Sequence, residues 1–104
     1  KGSDKHNTHL ICITSDTVEW LFSVIFPVTR MVLALRGCFA ASKREMAKHA
    51  PLLKDISGWR VITEAYREWK GWSGKIKDQE RFRELCRNML VFLDNAFTTE
   101  LANE

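Results

Sequence analysis

The amino-acid sequence predicts an all-α fold, a three- to four-helix bundle with a long first helix that is kinked at Pro27 and Gly37. Apolar residues recur at spacings of three and four along three segments, the periodicity of helices with one buried face. The chain has only five Gly and two Pro among 104 residues, too few for a turn-rich all-β architecture. Its 45% hydrophobic and 28% charged content is ordinary for a globular domain.

A single domain is predicted, because 104 residues suffice for one hydrophobic core. We expect residues 15–104 to form this helical domain and residues 1–14 to form a flexible N-terminal segment, in which residues 1–3 resemble a tag remnant. The three cysteines lie far apart and form no CxxC motif. Free thiols favour a reducing compartment, the cytoplasm or the nucleus.

The longest apolar run, residues 18–35, predicts the first helix, with Asp16 as its N-cap. Its apolar positions form a seam with steps of three and four that continues past the run: Val18, Leu21, Ile25, Val28, Val32, Leu35, Phe39 and Met46. Pro27 removes a backbone donor, which predicts a bend within a continuous helix. Gly37 predicts a break, because an unbroken helix to residue 50 would be about 50 Å long.

Two or three further helices follow from the rest of the pattern. Residues 43–48 form a solvated helical stretch that Pro51 ends. The next helix, capped by Asp55 or Ser57, carries a stripe of large side chains: Trp59, Ile62, Tyr66 and Trp69. Asp78 caps the last helix, whose apolar seam consists of Phe82, Leu85, Met89, Phe92 and Ala96.

The first helix is apolar on almost every side, and such a helix is buried in a core, in a membrane or against a partner. A membrane span is disfavoured, because the stretch 20–35 has only sixteen residues and carries Arg30 near its centre. The later helices are expected to cover the seam but not the opposite side, which carries Trp20, Phe26 and Leu33.

These three residues and Trp72, which lies between two glycines, are therefore predicted to bind a partner. The predicted function is a non-catalytic protein–protein interaction or assembly module of a larger intracellular protein. Its partner is another protein or a second copy of the chain. No cofactor and no enzymatic activity are predicted.

The first alternative is a nucleic-acid-binding helical domain. Its candidate residues are four cations near Trp72: Lys75, Lys77, Arg81 and Arg87. Acidic residues are interleaved among them, which favours a solvated helix face instead. The net charge of +3 does not by itself indicate a nucleic-acid partner.

The second alternative depends on Arg44 and His49, which have the spacing R-x4-H. This motif resembles that of HEPN ribonucleases, helical bundles that cleave RNA at a dimer interface. The resemblance implies that His49 acts on the 2′-hydroxyl and that Arg44 steadies the phosphate. Glu45 departs from the family, which usually has Asn, Asp or His there.

A metal site is considered at His6, His9 and Cys12, which have the spacing H-x2-H-x2-C. A structural zinc site needs four ligands, and the remaining thiols and imidazole lie on distant helices. No metal site is therefore predicted.

Overall fold

The computed structural model describes residues 13–102. The flexible segment predicted for residues 1–14 lies almost entirely outside this range, as does the motif formed by His6, His9 and Cys12. Of the described residues, 73% are helical and none forms a strand, so the prediction of an all-α bundle is confirmed.

The described part of the chain forms four α-helices and one 3₁₀ helix. Helix α1 spans Ser15–Leu35, α2 spans Lys43–His49, α3 spans Val61–Lys70 and α4 spans Gln79–Ala102. The 3₁₀ helix, Ala50–Leu53, directly continues α2.

Helix α1 begins slightly earlier than expected and ends at Leu35, two residues before Gly37. The N-cap is Thr14 rather than Asp16: the Thr14 hydroxyl accepts a hydrogen bond from the backbone N–H of Thr17 at 3.3 Å. Asp16 instead lies in the first turn, where a negative charge favours the helix dipole. The helix continues through Pro27, as predicted.

The predicted break at Gly37 is confirmed. Gly37 has φ +88°, and the N–H of Cys38 donates to the carbonyl of Leu33 at 2.8 Å, which forms a Schellman motif. The chain turns away here, so the expected extension of the apolar seam through Leu35 and Phe39 is wrong. Leu35 is 66% exposed and Phe39 is 83% exposed.

Contacts at both ends of α1 define the topology. At its start, Ile13 exchanges two backbone hydrogen bonds with the side chain of Gln79, the first residue of α4. At its end, Arg36 pairs with Glu100, the two side chains lying 2.7 Å apart. Helices α1 and α4 are therefore parallel neighbours. Helix α3 runs antiparallel to α4, because Ser57 before α3 bonds to Asn95 late in α4, whereas Glu68 at the end of α3 pairs with Arg81 at the start of α4.

Arg36 also joins the end of α1 to the connection before α3. Its guanidinium binds both carboxylate oxygens of Asp55, with one N–O distance of 3.0 Å. This hydrogen bonding lowers the pKa of the Asp55 carboxyl below its usual value. The ion pairs thus connect three parts of the chain that are distant in sequence.

Of the last two helices, α4 has the predicted N-cap and α3 does not. Asp78 caps α4, since its carboxylate accepts from the N–H of Arg81 at 3.1 Å. Helix α3 has no side-chain cap: neither Asp55 nor Ser57 fills that role, and the helix begins at Val61 after a series of turns. Trp59 therefore precedes the helix instead of lying on it.

The core lies where α1 meets the three other helices. Its largest fully buried side chains come from all of them and from the connections: Leu21, Ile25, Leu33, Met46, Leu53, Ile56, Ile62, Leu85, Met89 and Phe92. The Cα positions extend over 54 × 32 × 17 Å. The short dimension admits about two layers of helices, given a packing distance of about 8–10 Å.

Thr29 is a polar residue inside this core. It is fully buried on α1, and its hydroxyl has no hydrogen-bond partner among the described residues. Thr29→Val keeps the shape and removes the hydroxyl, so we expect the free energy of unfolding to rise by about 1–2 kcal/mol. Chemical denaturation measures the change.

Thr29→Ser is the matched control, because it keeps the hydroxyl and deletes the methyl group. It is expected to destabilise the protein by about 1 kcal/mol. A loss of stability in Thr29→Val would show instead that the hydroxyl has a partner, such as an internal water.

Candidate interaction surface

An apolar stripe runs along the outer face of α1. We call it the outer stripe, and its members are Trp20, Val24, Pro27, Val28, Met31 and Leu35. Their spacing of three and four residues places them on one side of the helix. Trp20 is 59% exposed and Met31 is 47% exposed, while the two valines are half-buried.

Among residues 13–102, no helix covers the outer stripe, because the fold is thin. Helices α2, α3 and α4 pack on the opposite side of α1, where Val18, Leu21 and Ile25 are buried. The stripe extends over sixteen residues, a length of about 24 Å on a helix. No Lys, Arg, Asp or Glu belongs to it, so it is a continuous apolar surface.

Helix α4 adds apolar surface of its own. Leu90, Val91 and Phe97 are exposed on it. Leu90 and Val91 line a surface groove of about 470 Å³ together with Ile13, the residue that leads into α1. Cys86 contributes to the wall of this groove, and its burial raises the pKa of its thiol.

Two of the four residues predicted to bind a partner are buried by the chain itself. Phe26 packs against Trp69 with ring centroids 6.1 Å apart, and Leu33 is fully buried. The expectation that the later helices leave Phe26 and Leu33 uncovered is wrong, because α3 packs against this flank. Trp20 alone of the three lies on the exposed side.

Trp72 caps one end of the core. Its ring is 6.0 Å from Phe22 in an edge-to-face arrangement and 5.5 Å from Phe82. Its indole N–H donates to the carboxylate of Glu19 at 2.9 Å. The side chain is half-buried, so it offers a partner only part of its surface.

Three of the four cations of the first alternative share one surface depression, and Arg87 does not. Arg81 pairs with Glu68 on α3, whereas Arg87 pairs with Glu84 on its own helix. The two arginines are six residues apart, which places them about 120° apart around α4. Lys75 and Lys77 lie in the connection before α4 and share a depression with Arg81.

Arg44 and His49 do not line a common cavity. Arg44 lies beside α3, while His49 lines a separate depression with Pro51 and Leu52. His49 is the last residue of α2, where a cation would favour the helix dipole. A ribonuclease site would require a second copy to bring these side chains together.

A basic groove between α2 and α3 was missed in the sequence. Its cations are Arg44 and Lys48 on α2, and Arg67 and Lys70 on α3, and Tyr66 lies among them. The signal was present as i, i+4 and i, i+3 spacings within each helix. The two pairs could not be assigned to one groove, because the sequence does not show that α2 packs against α3.

No protein-family model, no curated protein and no solved structure matches this chain. Its function is therefore inferred from the geometry and the charges of its own residues.

Helix α1 is also long and apolar enough to cross a membrane by length and composition. The helix has 21 residues, but a single apolar helix does not settle whether the chain meets a membrane, so the expectation that it does not span one stays a prediction. Half of its most apolar window is buried inside the chain, and the core helix of a globular protein meets the same criteria.

Proposed function

We propose that the protein is a non-catalytic assembly module that forms a homodimer through the outer stripe of α1. The observation that carries the proposal is the symmetry of the stripe. When residue i of one helix faces residue 55 − i of an antiparallel copy, every stripe position meets another stripe position. Trp20 then packs against Leu35, Val24 against Met31, and Pro27 against Val28.

Such pairing is what a two-fold interface requires, because the same surface is used on both copies. The steps of three and four residues along the stripe are those of helices that pack side by side. An antiparallel arrangement also places the positive end of each helix dipole beside the negative end of the other.

The outer stripe supplies a contact surface about 24 Å long on each copy. A stable interface buries about 800 Å² on each partner.

The mass in solution tests the proposal. Sedimentation velocity from low to high micromolar protein is expected to show the 12.1 kDa chain shifting to twice that mass. Leu35→Glu is expected to keep the protein monomeric, because it places a charge in the apolar contact. Leu52→Glu is the matched control, since Leu52 is an exposed leucine of the 3₁₀ helix that does not belong to the stripe.

A mixing experiment tests the register. Trp20→Glu and Leu35→Lys are each expected to be monomeric alone, whereas their mixture is expected to dimerise through a Glu–Lys contact. A wild-type protein that stays monomeric at every concentration would refute the dimer. A mixture that behaves like its two components would refute this antiparallel register.

A further inference from the structure

The basic groove is formed by two helix faces that turn toward each other. Arg44, Ala47 and Lys48 on α2 line one side, and Thr63, Tyr66, Arg67 and Lys70 on α3 line the other. Its volume of about 390 Å³ is within the range of ligand-binding sites. It shares no residue with the outer stripe.

Positive charge is concentrated in this part of the chain. Residues 43–70 contain seven Lys and Arg against four Asp and Glu, whereas the other residues contain nine of each. The whole excess of +3 thus arises from this segment. Two of its four carboxylates, Asp55 and Glu68, are paired with arginines from outside it, Arg36 and Arg81.

The groove cations lack such pairing. Arg44, Lys48, Arg67 and Lys70 form no salt bridge with any carboxylate of the described residues. The groove therefore presents four uncompensated positive charges from two rigid helices, which is a favourable site for closely spaced negative charges.

One aromatic ring, that of Tyr66, lines the groove among the cations. It stacks on the ring of Trp69 with centroids 6.2 Å apart and planes 25° apart. Trp69 itself lies outside the groove, where Lys43 contacts its ring. The ammonium of Lys70 lies 5.3 Å from the centre of the Tyr66 ring, so Tyr66 is the aromatic surface beside the cations.

We infer that the basic groove binds single-stranded nucleic acid, with the four cations on the phosphates and a base stacking on Tyr66 as Lys70 moves from that ring to a phosphate. Sites of this class combine a positive groove with aromatic rings. A duplex would need a protruding helix or ribbon to enter its major groove, and this surface is concave. An anionic membrane surface would attract the same cations, but it offers no base to stack on Tyr66.

Fluorescence anisotropy with labelled oligo-dT and oligo-U provides the test. If all four cations contact phosphates, the affinity should fall with a log–log salt slope of about −2.8. That slope corresponds to a loss of about 50-fold between about 50 and about 200 mM salt. Tyr66→Leu should weaken binding by roughly 5- to 150-fold if it stacks a base.

The charge variants locate the site. Lys48→Gln with Lys70→Gln should reduce the salt slope to about −1.4. Lys75→Gln with Lys77→Gln makes the same change in charge outside the groove and should leave binding unchanged. Thermal denaturation of each variant confirms that it is folded.

Three outcomes would overturn the inference. The first is the absence of oligonucleotide binding at low salt. The second is a loss of affinity in the Lys75 and Lys77 variant while the Lys48 and Lys70 variant binds normally. The third is binding to phosphatidylserine vesicles without any binding to oligonucleotides, which would assign the groove to an anionic membrane.

Discussion

Trp72→Ala is expected to lower the free energy of unfolding by about 2–4 kcal/mol. Truncation of a buried Trp costs about 3–5 kcal/mol, and the value here is lower because Trp72 is half-buried. The variant loses the ring contacts with Phe22 and Phe82 and the hydrogen bond to Glu19. Chemical denaturation at one fixed protein concentration measures the effect, because dimerisation would make stability depend on concentration.

Two variants separate the contribution of the ring contacts from that of the indole hydrogen bond and compare Trp72 with an exposed Trp. Trp72→Phe keeps most of the ring packing and loses the indole hydrogen bond, so a loss of about 1 kcal/mol is expected. Trp20→Ala removes the same type of side chain from an exposed site and should change the stability of the monomer by less than about 0.5 kcal/mol. Equal losses for Trp72→Ala and Trp20→Ala would contradict the role of Trp72 as the cap of the core.

Gly58→Ala is expected to lower the free energy of unfolding by about 2–3 kcal/mol. Gly58 has φ +90°, a conformation that costs alanine about 1–2 kcal/mol. A Cβ at this position would also lie 3.3 Å from the backbone N and Cα of Phe92. Since that backbone belongs to the middle of α4, the connection before α3 would have to move away from the helix.

Gly37→Ala is the matched control for the contact between the new Cβ and the backbone of Phe92. Gly37 has nearly the same φ, but apart from its own chain neighbours no described residue has an atom within 4 Å of the position that its Cβ would take. We therefore expect a loss of only about 1–2 kcal/mol. Equal losses in the two variants would show that α4 accommodates the Cβ, and denaturation curves recorded under the same conditions decide this.

The break at Gly37 could be predicted because the signal is local. A glycine after a long apolar run supplies the positive φ that a Schellman motif needs, and no distant contact is required. Asp78 was predicted as a cap for the same reason. The sequence predicts Asp16 as the N-cap of α1, whereas the N-cap is Thr14; both residue types cap helices, and the two lie only two residues apart.

The sequence predicts only part of the exposed surface of α1. Trp20 was correctly placed outside the core, whereas Phe26 and Leu33 are buried. All three lie off the apolar seam, and periodicity alone does not say which flank a neighbouring helix covers. The basic groove was missed because its four cations come from two helices whose packing the sequence does not reveal.

The sequence by itself determined the helical elements of this protein, the break after α1 and a first helix with more apolar surface than one face can bury. These features depend on contacts among residues a few positions apart. Only the tertiary structure decided that α3 covers Phe26, that the outer stripe remains exposed, and that Arg44 and Lys48 face Arg67 and Lys70. Each of these depends on how helices pack across many residues of chain, where several arrangements satisfy the same pattern.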